Sequence, residues 1–183
     1  VSAKDGTIVV NNTGSAAVIF GGDIGTAAAI GLITLTDLGS STTFQGNVAV
    51  DKGVDDQNAI TLANNQTVNF EKNLTMSAAT TDQDNLTLGD AATVIGFTGT
   101  AAQTVTGNIV GASANVGIIN VTNTAGVVTF MGDTGAVGND IGKLYVASGA
   151  SALFKANGVR QTGRVFNWDL GASFPVNRIV FYP

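Results

Sequence analysis

Thr42-Thr43-Phe44-Gln45-Gly46-Asn47-Val48 is the stretch from which the rest of the chain can be read. β-Branched residues lead into a phenylalanine, and three residues later an asparagine precedes the next apolar side chain. The same wording returns as Ala17-Val18-Ile19-Phe20-Gly21-Gly22-Asp23, Val68-Asn69-Phe70-Glu71-Lys72-Asn73-Leu74, Val128-Thr129-Phe130-Met131-Gly132-Asp133 and Ala152-Leu153-Phe154-Lys155-Ala156-Asn157. A related copy, Thr104-Val105-Thr106-Gly107-Asn108-Ile109, carries Val105 at the phenylalanine position, and Phe97-Thr98-Gly99 just before it lacks the asparagine. Positions 20, 44, 70, 105, 130 and 154 are separated by 24, 26, 35, 25 and 24 residues, so the long interval reads as an insertion.

About nine residues before each of these positions stands a second apolar run: Ile8-Val9-Val10, Ile33-Thr34-Leu35, Ile60-Thr61-Leu62, Ile119-Asn120-Val121 and Leu144-Tyr145-Val146, with Leu86-Thr87-Leu88 before Phe97. Such short β-branched or alternating runs, bounded by Asn, Gly and Asp, read as strands rather than helices. The repeating unit is therefore strand, polar turn, strand, corner. Two or three strands per unit of roughly 25 residues fit one coil of a parallel β-solenoid, within the period range of repeat architectures. The fold expected is all-β, a parallel β-solenoid, with a β-sandwich of hairpins as the alternative. Stacked at the ordinary strand spacing, successive coils place Phe20, Phe44, Phe70, Phe130 and Phe154 in one internal ladder. The Asn or Asp three residues on sits at a corner, where its side chain serves turn geometry.

Composition excludes much chemistry. The 183 residues contain no Cys and no His, so disulfides, thiolate or imidazole metal sites and His-based triads are ruled out. A net charge of −5 opposes binding to nucleic acid, which needs clustered Lys and Arg. No apolar run is long enough for a membrane span. Asp55-Asp56-Gln57-Asn58 and Asp82-Gln83-Asp84-Asn85 precede equivalent strands 27 residues apart and would stack as an acidic corner. Neither matches a repeat-type or EF-hand calcium loop, so no metal is assigned. The remaining carboxylates are scattered rather than paired, and neither catalysis nor a cofactor is expected. Threonine is frequent, which raises an ice-binding face as a minor reading, but no Thr-x-Thr pattern recurs in register.

Gly25-Thr26-Ala27-Ala28-Ala29-Ile30-Gly31-Leu32-Ile33, Thr43-Phe44-Gln45-Gly46-Asn47-Val48 and Thr106-Gly107-Asn108-Ile109 resemble the passenger repeats of rickettsial-type surface-antigen autotransporters, over about residues 5–158. The resemblance implies an extracellular bacterial passenger, adhesive or layer-forming, with no catalytic residues to carry over. Two departures from that pattern are the lack of a translocator barrel and a non-repetitive C-terminal segment. The chain begins at Val1 rather than Met, as expected of a mature product or a piece of a longer one.

Residues 159–183 form that different segment. They hold Arg160, Arg164, Trp168, Arg178, Phe181 and Tyr182, together with Phe166 and Phe174. Charge is partitioned as well: residues 1–141 carry three basic and twelve acidic side chains, net −9, whereas 142–183 carry five and one, net +4. An open solenoid needs its end strands capped or joined. The segment is expected either to cap the repeat domain of residues 1–158 or to carry head-to-tail association with other copies through those six residues. Strand donation by Arg178-Ile179-Val180-Phe181-Tyr182 is a third use. Function follows two lines: a self-associating extracellular filament or layer, or a monomeric adhesin that binds a host or surface ligand along its length.

Overall fold

The structure is a computed structural model that describes residues 6–12, 14, 16–36, 41–52, 58–76 and 84–155, together with the backbone of 167–168. Its strands wind as successive coils. The first coil holds β1 (Thr7–Val10) and β2 (Val18–Phe20). The second holds β3 (Leu32–Leu35), β4 (Ser41–Phe44) and β5 (Val48–Val50), and the third β6 (Asn58–Leu62), β7 (Thr67–Phe70) and β8 (Leu74–Met76). The fourth has β9 (Asn85–Leu88), β10 (Val94–Phe97) and β11 (Gln103–Thr106), and the fifth β12 (Asn108–Gly111), β13 (Val116–Val121) and β14 (Val127–Phe130). Above them lie β15 (Ile141–Val146), β16 (Ser151–Phe154) and the short β17 (Asn167–Trp168).

Every strand pairs in parallel with its counterpart one coil away, which builds three sheets. Sheet 1 runs β1-β3-β6-β9-β12, sheet 2 β2-β4-β7-β10-β13-β15-β17, and sheet 3 β5-β8-β11-β14-β16. This is the solenoid expected from the repeat, with coils of about 25 residues, and not the sandwich, whose strands would pair mainly antiparallel. Strand alternation sends every second side chain inward. Ile33, Ile60, Leu86 and Ile109 form one buried column on sheet 1, with Leu35, Leu62 and Leu88 beside it. No coil buries this surface alone, so stability comes from stacking.

Phe20, Phe44, Phe70, Phe130 and Phe154 do stand in one internal stack, but Phe97 stands in it too. Ring centroids are 5.0, 5.3 and 6.0 Å apart from Phe20 to Phe97, then 5.2 Å to Phe130 and 4.7 Å to Phe154. Val105 is not the missing rung. It lies on sheet 3, in register between Leu74 and Phe130, while Phe97 pairs with Phe70 and then with Val121 on sheet 2. The stack therefore changes face: its lower rings come from sheet 2 and its upper two from sheet 3. All neighbours are near-parallel except Phe97 and Phe130, which meet edge to face at 89° where the change occurs.

Corner lengths explain the change. Three residues separate Phe20 from Ile24, Phe44 from Val48 and Phe70 from Leu74, so the tight corner of the lower coils joins sheet 2 to sheet 3. In the upper coils three residues separate Val105 from Ile109 and Phe130 from Thr134, and the tight corner joins sheet 3 to sheet 1. The Phe-x-x-Asn wording marks the tight corner, not the face. The supposed insertion of the 35-residue interval is a step from one face to the next, and the spacing within sheet 2, from Phe70 to Phe97, is 27. For the same reason β13 and β15 lie on sheet 2, whereas β1, β3, β6 and β9, their counterparts in the repeat, lie on sheet 1.

The longer corner after Phe97 is tied down by two buried amides. Gln103 donates from Nε2 to the carbonyl oxygens of Phe70 (2.8 Å) and Lys72 (3.0 Å), one coil below. Its Oε1 accepts from Gly99 N–H (3.2 Å) and from Asn123 Nδ2 (3.0 Å). Asn123 in turn donates to Ala101 O at 2.6 Å and accepts from Ala125 and Gly126 N–H. Buried polar groups persist where their hydrogen bonds are made, and these two fill the junction between the two corner patterns.

Candidate functional site

Corner side chains link one coil to the next. Asp23 Oδ1 accepts from the backbone N–H and Nδ2 of Asn47, at 2.7 and 3.1 Å. Higher up, Asn85 Oδ1 accepts from Asn108 Nδ2 at 3.2 Å, and Asn108 Oδ1 accepts from Asp133 N–H at 2.9 Å. Glycine completes these corners: a Cβ on Gly132 would strike the carbonyl oxygen of Gly107 beneath it, whereas Gly22, in the first coil, has nothing within 4 Å. At another corner Asp90 Oδ1 accepts from Asn65 N–H, Thr93 Oγ1 and Ala92 N–H. These bonds, the one from Asn65 foremost, hold its carboxyl below the ordinary value of 3.8.

The asparagines also line a cleft. Asn58, Asn85 and Asn108 stand in register on β6, β9 and β12, and with Thr87, Asp133 and Asn139 they surround about 610 Å³ over Val110 and Gly111. Sequence reasoning passed over this column, although Asn58 and Asn85 are one period apart and Asn108 follows 23 residues later. Of the two acidic stretches, Asp55, Asp56 and Asp82 lie outside the described residues. Asp84 is buried and accepts from Lys52 N–H at 2.6 Å. Among the described residues no three acidic side chains gather as a metal site. Thr34, Thr61 and Thr87 share one outward column of sheet 1.

The ends of the stack differ from its middle. Six large hydrophobic side chains are exposed among the described residues: Val9 and Ile19 at 61% in the first coil, and Val127, Met131, Val137 and Leu153 in the last two. None lies between Ile19 and Val127. The direction of the backbone groups at the first coil follows from its hydrogen bonds. Gln45 N–H donates to Phe20 O and Thr36 N–H to Val10 O, each at 2.9 Å. In a strand the N–H and C=O of one residue point the same way and alternate along the chain. Those of Ile19 and Val9 therefore face away from β4 and β3, toward the edge on which no described strand pairs.

Of the residues picked from sequence for assembly, Trp168 is placed in β17, where its backbone pairs with Val146. Arg160, Arg164, Arg178, Phe181 and Tyr182 lie outside the described residues. Among the described residues no helix is long and apolar enough to cross a membrane. Fold and repeat together define the chain as a parallel β-solenoid repeat protein. No protein-family model matches it, and neither does any curated protein or solved structure.

Proposed function

We propose that this chain is an exported bacterial cell-surface structural protein, a non-enzymatic solenoid whose copies join end to end into an extracellular filament or layer. The observation that carries this reading is that, among the described residues, the exposed large apolar side chains fall in the first coil and the last two, with backbone groups at the same residues of the first coil facing away from the neighbouring strands. A flat, apolar, unpaired strand edge is a template for another chain, and edges that must stay single carry Lys, Pro or a bulge. Contacts between unlike ends propagate into a filament when their rotation does not close a ring, as for coils stacked along one axis. The opposite net charges of residues 1–141 and 142–183 favour unlike ends meeting.

Negative-stain microscopy and light scattering of the purified chain test this directly. Particles should lengthen with concentration and shorten in salt, which screens the charge term. Ile19→Lys should leave the fold intact, because the side chain is 61% exposed, and should reduce assembly by placing a charge on the edge. Deletion after Gly158 should also abolish assembly. Wild-type chains that stay monomeric at every concentration would overturn the reading.

A second reading, a monomeric adhesin passenger that binds a host or surface ligand, is favoured by the cleft of Asn58, Asn85 and Asn108 on the long face. It places the functional determinants there, so replacing those residues would remove ligand binding and leave the chain monomeric.

A further inference from the structure

The two ends of the stack are not equivalent from sheet to sheet. At the first coil, sheet 3 does not end in a plain strand. Ile24 and Ile30 bridge Val48 and Val50, which are two residues apart, so the five residues Gly25–Ala29 loop out from that edge. At the far end sheet 1 is finished in the same manner. Thr134 bridges Ile109, Gly135 N–H donates to Ile109 O and Gly111 N–H donates to Asn139 O, while Ala136 to Asn139 turn outward. Irregular excursions of this kind are how sheets refuse further strands. Among the described residues only sheet 2 has a regular strand at both edges, β2 below and β17 above.

Register through sheet 2 is unbroken. One column runs Ile19, Thr43, Asn69, Gly96, Asn120, Tyr145 and Asn167, and its neighbour runs from Phe20 through Val146 to Trp168. Resting on the end-to-end reading above, we propose that copies join through sheet 2 alone, with β17 of one copy adding in parallel to the open edge of β2 of a second. Asn167 then stands opposite Ile19, and Trp168 opposite Phe20, so the register of sheet 2 continues from one molecule into the next. The joined sheet is covered by the same backbone pairing that holds the coils together, and Ile19, the exposed residue whose backbone groups face outward, receives a partner on both counts.

Because the chain has no cysteine, engineered thiols report this junction without background. Neighbouring strands lie about 4.8 Å apart, within the Cα separation that a disulfide spans. Chains carrying Ile19→Cys are mixed with chains carrying Asn167→Cys, oxidised, and run on non-reducing gels. The expected result is a covalent dimer that neither variant forms by itself, and none when Val9→Cys, on sheet 1, replaces Ile19→Cys. A dimer between Ile19→Cys and Val180→Cys in place of Asn167→Cys overturns the junction in favour of donation of the Arg178 to Tyr182 segment. Equal cross-linking from Val9→Cys overturns the restriction to sheet 2. Assemblies that persist in scattering with no cross-link in any mixture overturn the junction but leave end-to-end association standing. Monomers throughout overturn both.

Discussion

Replacing Gln103 with leucine tests whether the change of face depends on its amide. The side chain is buried and has about the volume of leucine, so the change removes hydrogen bonds and little packing. Phe70 O keeps a second donor, Thr98 N–H at 3.1 Å, and Asn123 Nδ2 keeps Ala101 O at 2.6 Å. Gly99 N–H and Lys72 O lose the bonds that Gln103 makes to them. A buried group stripped of its partner costs about 1–3 kcal/mol, and the Lys72 carbonyl, at a partly open corner, falls at the low end. The expected loss is about 2–4 kcal/mol, a large share of the roughly 5–15 kcal/mol that holds a domain folded. Urea unfolding followed by circular dichroism should show the midpoint falling at unchanged slope. For a chain of this size Tm should fall by about 2–4 °C for each kcal/mol lost. A double-mutant cycle with Asn123→Leu should show coupling through the 3.0 Å bond between the amides. A Gln103→Leu protein within about 0.5 kcal/mol of wild type, the range of an ordinary surface change, would refute the role given to this network.

Val105→Phe supplies the ring that the repeat wording asks for. Because Phe97 already fills the stack and Val105 is 1% exposed between Leu74 and Phe130, it should destabilise by about 1–3 kcal/mol through overpacking, measured in the same unfolding assay. Gly132→Ala should be costly and Gly22→Ala nearly neutral, since only the first would meet a carbonyl of the coil below; comparing the two Tm values separates close approach from corner geometry. For Asp90 the folded pKa is lowered, so its stabilising contribution is present above the unfolded value and is lost as pH falls through the folded one. Wild type should therefore lose more stability than Asp90→Asn as pH falls from about 5 into the region below 3.8, read from urea midpoints across that range.

Alternation and spacing were enough to place most strands and the solenoid itself, because each run such as Ile33-Thr34-Leu35 announces its inward side chains locally. What sequence hid was the third dimension of the repeat. Phe97 lacks the asparagine three residues on because its corner is long, and Val105 has one because its corner is tight; only pairing shows which face each occupies. The aid to a correct reading was present in the 27-residue step from Phe70 to Phe97, close to the other intervals. The cleft was legible as a periodic asparagine, but its depth depends on the turn at Ala136 to Asn139, which no period foretells. The ends were the least legible. Edge exposure belongs to the stack as a whole, and nothing in the wording of Ile19 distinguishes it from Thr43, its partner one coil up.

The displaced tight corner also governs how such a chain can grow or shrink. Below β10 each coil offers its short vertex between sheets 2 and 3, and above it between sheets 3 and 1. A whole coil copied or deleted within either half leaves every vertex resting on one of its own kind. A coil moved from one half to the other would set a short vertex against a long one and leave a phenylalanine on the wrong wall. Length is thus adjustable in steps of one period, but only on either side of a fixed seam, and Gln103 with Asn123 is the stitch that such rearrangements must leave in place.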